Sequence, residues 1–135
     1  MLRGPATVNL YVDDVAAAAR WYADLLGVEP YYRRDGDDGV PAYLEFRFGD
    51  RETELGLIDR RWSPFPADAA PGGVVLHWAV DDLDAAIAAL TAAGATPLLP
   101  RTEHGPGFVT ASFVDPFGNV LGVMHNVHYL EQAGA

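Results

Sequence analysis

The stretch Leu10–Tyr22, LYVDDVAAAARWY, is nearly written again from His77 to Leu90 as HWAVDDLDAAIAAL. Val12-Asp13-Asp14-Val15 returns as Val80-Asp81-Asp82-Leu83, an offset of 80 − 12 = 68 positions in a chain of 135. A repeat of about half the chain decides the architecture before any single residue does. In each copy an alternating segment, TVNLYV or VVLHWAV, reads as a strand. One aspartate of each pair caps a run of helix formers, VAAAARWYADLL or LDAAIAALTAA. Gly27 and Gly94 then stop the two helices.

Outward from this phrase, the halves stay parallel. Short strands are expected near EPYYRR and ATPLLP. PAYLEFRFGD and TELGLID follow in the first half, and FVTASFVD and VLGVMH in the second. RRDGDDGVP, GDRE, PRTEHGPG and DPFGN carry turn residues between them. Each half is therefore strand, helix, then three strands, and RWSPFPADAAPGG, dense in Pro and Gly, links them. The chain reads as one α+β domain, 1–135: module 1 at about 6–60, a linker at 61–73, module 2 at about 74–125, and a tail at 126–135.

Composition narrows the function. Half of the residues are hydrophobic, which is globular. The chain has no cysteine, so disulfides, thiolate metal sites and a cysteine nucleophile are excluded. A net charge of −10, from 19 acidic and 9 basic residues, argues against nucleic acid. It serves solubility, and would favour a cationic ligand. MLRGPATVNLYV has no apolar core of a signal peptide, and no run approaches a membrane span. A cytoplasmic location, with no membrane partner, is expected.

The order of elements, together with Asp115-Pro116-Phe117-Gly118-Asn119 followed by VLGVM, resembles the vicinal oxygen chelate superfamily. That superfamily includes glyoxalase I, bleomycin resistance proteins and extradiol dioxygenases. The resemblance runs from about Thr7 to Met124. It implies two tandem βαβββ modules forming a curved mixed or antiparallel sheet around a cleft, with helices on the outer face. It also implies a homodimer. The modules pair within one chain or across the dimer, and the cleft between them takes a small molecule.

Strand alternation selects the residues that face such a cleft. Val8, Leu10, Val12, Leu44, Phe46, Phe48, Leu55 and Leu57 belong under the first helix. Val74, Leu76, Trp78, Val80, Val109, Ala111, Phe113, Leu121 and Val123 belong under the second. The opposite faces gather Asn9, Tyr43, Glu45, Arg47 and Glu54, and His77, Thr110, Ser112 and Met124. A polar face can also simply meet water. Trp62 and Phe65, in the linker, either line the mouth of the cleft or pack a Pro-rich segment.

In the superfamily's metal members, ligands stand on the first and last strand of each half. Counting from the matched motifs gives Thr7, Glu54 (or, two residues on, Gly56), Val75 and Gly122. Only Glu54 ligates a divalent cation well, against about three protein ligands for a catalytic site. No metal and no cofactor is expected. His77, two residues from a vacated position, is a candidate general base. His104 reads as a loop residue, and His125 and His128 as part of a solvated helical turn. The expected function is sequestration of a polar or cationic aromatic small molecule without a metal. The alternative is a lyase, isomerase or dioxygenase-like enzyme using a shifted metal site or His77.

Overall fold

The computed structural model describes residues 1–134, so the last residue of the tail lies outside the described residues. The chain divides into two compact units, Met1–Ala69 and Ala70–Ala135, at a point inside the Pro/Gly-rich link.

In the first unit, β1 (Thr7–Val12), α1 (Val15–Leu26), β2 (Tyr32–Asp35), β3 (Pro41–Phe48) and β4 (Thr53–Asp59) lead into a single 3-10 turn, Arg60–Trp62. The sheet order is β1-β4-β3-β2. β1 runs parallel to β4, and the other pairs are antiparallel. Of the two candidate caps, Asp14 is the one used: its carboxylate accepts from the Ala17 N–H at 2.9 Å. Gly27, at φ 70°, closes α1 in the left-handed conformation that glycine adopts without strain. Val15, Ala18, Ala19 and Tyr22 of α1 are buried, and the helix packs on β3 and β4. Leu44, Phe46, Leu55 and Leu57 complete this core, on the strand faces that alternation assigns to it.

The second unit holds β5 (His77–Ala79), α2 (Leu83–Ala92), β6 (Thr96–Gly105), β7 (Phe108–Val114), β8 (Val120–Asn126) and α3 (Val127–Ala133). Its sheet order, β5-β8-β7-β6, repeats that of the first. Asp82 caps α2 by accepting from the Ala85 N–H at 2.9 Å. α2 packs on β7 and β8 over Leu83, Leu90, Val109, Ala111, Phe113, Leu121 and Val123. Asp115 builds the DPFGN turn: one carboxylate oxygen accepts from the N–H of both Phe117 and Asn119, each at 2.9 Å. The protein is thus α+β, with two tandem four-stranded mixed sheets of the same topology. No described helix is long and apolar enough to cross a membrane.

Two elements differ from the sequence reading. VVLHWAV yields only a three-residue strand; Val74 is 78% exposed rather than packed under α2, and Val75, of the opposite parity, is 44% exposed. β8 offers β5 just three partners, Gly122 to Met124, and Pro71-Gly72-Gly73 upstream favours no extended pairing. β6 is longer than expected, running through PRTEHG to Gly105 with three register shifts. Pro97 and Pro100 lack the N–H of a regular ladder, yet an edge strand with irregular register tolerates them. The expected helical turn of the tail is α3, capped by Asn126; it takes in His128 but leaves His125 in β8.

Candidate ligand site

The open face of the first sheet is ordered in three rows. Thr7 pairs with Glu54, and Glu54 with Arg47; Asn9 pairs with Gly56, Gly56 with Glu45, and Glu45 with Tyr32. Tyr11 pairs with Ile58, Ile58 with Tyr43, and Tyr43 with Arg34. Side chains of directly paired residues share a face. Asn9, Tyr43, Arg47 and Glu54 therefore come together as the alternation requires.

Hydrogen bonds run within the first row and between the other two. Thr7 Oγ1 donates to Glu54 Oε2 at 2.8 Å, and Arg47 Nη2 donates to Glu54 Oε1 at 3.0 Å. The Arg47 guanidinium also lies 4.4 Å from the centroid of the Tyr31 ring. The Tyr43 hydroxyl donates a short bond to Glu45 Oε1. The hydrogen bonds from Thr7 and then Arg47 hold the Glu54 carboxyl below the usual range. Glu45 is pushed the other way, by desolvation first and by the Glu54 charge second. Two neighbouring carboxylates of one face thus have opposite protonation tendencies.

Gly56 is the hinge of this arrangement. A Cβ there would meet Asn9 Oδ1, and the Tyr43 hydroxyl at 2.7 Å. The absent side chain lets Asn9 and Tyr43 converge over the middle of the sheet. Next to them lies a groove of about 720 Å³. Tyr32, Tyr43, Ile58 and Trp62 give it apolar and aromatic walls, and Arg34, Asp35, Asp37, Asp38 and Arg61 give it charge. Trp62 is 53% exposed. Phe65, the other linker aromatic, packs edge-on against Tyr11 with centroids 6.3 Å apart.

Of the residues that line the groove, the sequence singles out only Tyr43 and Trp62; Tyr32, Arg34, Ile58, Arg61 and the three aspartates, which lie in the turn-rich RRDGDDGVP, are found by the structure alone. Ile58 was within reach, because it follows Glu54 and Gly56 at the same parity. Tyr32 and Arg34 needed the register of β2, which EPYYRR leaves open. Arg61 needed the 3-10 turn, in which the Asp59 carboxylate accepts from the Arg61 N–H at 2.9 Å.

The second sheet carries the remaining candidates on one face. His77 pairs with Gly122, Gly122 with Ser112, and Ser112 with Leu99; Ala79 pairs with Met124, and Met124 with Thr110. The exposed His77 lies across Gly122, where a Cβ would stand 2.7 Å from His77 Cδ2. The Thr110 hydroxyl is bonded to His104 Nε2 at 2.8 Å, so His104 is a strand residue and not a free loop. Met124 Sδ accepts from Asn126 Nδ2 at 3.7 Å. Ser112 is only 3% exposed, and its Oγ is a buried polar atom without a hydrogen-bond partner among the described residues. His128 stacks edge-on against Phe108.

The family model for the glyoxalase/bleomycin resistance protein/dioxygenase superfamily matches residues 4–123. The chain belongs to that superfamily. Among solved structures, it is similar to an Agrobacterium tumefaciens protein determined by solution NMR, at 26% identity and a TM-score of 0.72, covering 90% of this chain and 96% of that one. It is also similar to a glyoxalase/bleomycin resistance protein from Streptomyces sp. CB03234, at 29% identity and a TM-score of 0.63, covering 89% and 98%. A glyoxalase-related enzyme from Fulvimarina pelagi shares the fold at 21% identity and a TM-score of 0.71, covering 93% and 90%. Comparison with curated proteins finds no match.

The donor set at the superfamily's metal positions does not fit a metal. The register shows that Gly56 holds in the first sheet the place that Gly122 holds in the second, opposite Asn9 and His77 respectively. Neither glycine has a side-chain donor, nor does Val75, and the His77 ring fills the space over Gly122. Glu54 has a donor on each oxygen, Thr7 on one and Arg47 on the other. No group of three or more His, Cys, Asp or Glu residues is placed to hold an ion among the described residues.

Proposed function

We propose that this protein is a small-molecule-binding member of its superfamily, which holds a polar or cationic aromatic ligand without a metal. The observation that carries this reading is the groove on the open face of the first sheet. Three aromatic side chains and Ile58 line it beside three aspartates. A concave site with apolar walls and a few convergent polar groups is the usual form of a small-molecule site. Tyr32 and Tyr43, with ring centroids 6.0 Å apart, and Trp62 supply flat surfaces for stacking. Three aspartates against two arginines leave the groove net negative, and the net charge of −10 acts in the same direction, so both favour a cation over an anion. The chemistry asked of the site is recognition: stacking on the aromatics, with charge and hydrogen bonds at the rim.

The test is a fluorescence titration of chelator-dialysed protein with a panel of planar aromatic amines and amidines. Saturable quenching in the wild type, absent in Trp62→Phe, is the expected result. No saturable signal from any cationic or polar aromatic would overturn the reading.

A further inference from the structure

Trp62 already has a cation on its face. The Arg61 guanidinium lies 4.7 Å from the centroid of the Trp62 ring. Asp59 Oδ2 binds it at 2.8 Å, and Asp38 Oδ2 stands 3.9 Å from the same nitrogen. The Arg61 side chain is half exposed, and so is that of Asp38. Arg61, Trp62 and Asp38 all line the groove, beside Tyr43. The chain thus supplies from within what the groove is built to hold: a flat cation on an indole face, between carboxylates.

We propose that Arg61 is an internal occupant of the Trp62 face, and that a planar cationic group of the ligand takes its place. Arg61 then leaves the indole and keeps a carboxylate, because Asp59 binds its Nη2 and Asp38 stands near the same nitrogen. This inference rests on the groove being the ligand site. It makes Arg61 a specificity-determining residue. A planar cation replaces the lost contact with an equivalent one. A neutral ring recovers the stacking but not the charge, and an anion meets the aspartates.

Three probes of one shape separate these cases: 2-naphthamidine (cation), 2-naphthamide (neutral) and 2-naphthoate (anion). Binding is read by NMR at the Trp62 indole N–H, assigned with Trp62→Phe, and at the Arg61 Nε–H. Arg61→Ala and Arg34→Ala are compared, since both remove a positive charge from the groove but only Arg61 covers the indole. We expect 2-naphthamidine to move both signals in the wild type and to bind more tightly than the other two. Arg61→Ala should strengthen it by about two- to fivefold, the range of an exposed cation–π contact. Arg34→Ala should not reproduce that gain. Unchanged or weaker binding in Arg61→Ala, or an equal gain in Arg34→Ala, would overturn the role of Arg61 while leaving the groove as the site. Failure of every probe to move the Trp62 signal in any variant would overturn both.

Discussion

Gly56 is the residue on which the open face of the first sheet depends. A methyl group there would collide with Asn9 and Tyr43. Gly56→Ala should push the Asn9 and Tyr43 side chains apart, read as NMR shift changes at both with little change in the urea midpoint, because the colliding atoms belong to side chains of an open face. Ser112 is the opposite case, because its hydroxyl is buried without a partner among the described residues. Ser112→Ala should raise stability by about 1–3 kcal/mol, the cost of one unsatisfied polar group; a comparable loss would show that the hydroxyl is bonded in solution. The two carboxylates of the face predict opposite pH effects. Glu54 has a folded pKa below its unfolded value near 4.5. Its contribution is therefore present above that value and lost as pH falls through the folded pKa. Glu45 has a raised folded pKa, so its ionisation lowers stability as pH climbs past 4.5 toward that pKa. Denaturation midpoints at pH 7 should fall in Glu54→Gln and rise in Glu45→Gln. Movement of both in one direction would contradict the arrangement of the face.

At the scale of elements, the helices were legible because their signals are local. Asp14 and Asp82 cap, Gly27 and Gly94 follow the last turns, and alanine fills the interiors. Asp14→Ala and Asp82→Ala should each cost about 0.5–2 kcal/mol in thermal or urea unfolding, the ordinary worth of a cap. The core faces were legible for the same reason, since alternation fixes Leu44, Phe46, Leu55 and Leu57 on one side. The lengths of β5 and β6 were not. A strand ends where its partner stops offering hydrogen bonds, and for β5 that partner, β8, lies more than forty residues away in sequence. β6 shows the reverse, with a stretch carrying Pro and Gly held extended by β7 across irregular register. Parity alone places Asn9, Tyr43, Arg47 and Glu54 on the open face, but of these only Tyr43 lines the groove. Arg61 and the β2 residues were not legible, because a 3-10 turn and a short edge strand leave no periodic signature.

For the whole molecule, the strongest inference from the sequence was the repeat, and it reappears as one strand order written twice. The same duplication sets Asn9 opposite Gly56 and His77 opposite Gly122. A homodimer is expected on family grounds and because the edge strands β2 and β6 are exposed along their whole length. Light scattering at high micromolar concentration should give twice the chain mass, and a monomer would count against it. Acidity also acts at this scale: association of a cationic ligand should slow as salt rises, since the summed field steers it. Ligand binding in the groove is proposed to need no metal. Calorimetric titration of 2-naphthamidine into the protein, before and after exhaustive dialysis against a chelator, decides this, with a Tyr43→Ala/Trp62→Ala variant alongside. The same saturable heat is expected in both wild-type samples, with its loss in the variant. Binding that vanishes on chelation and returns with a divalent ion, or that survives in the variant, would contradict it.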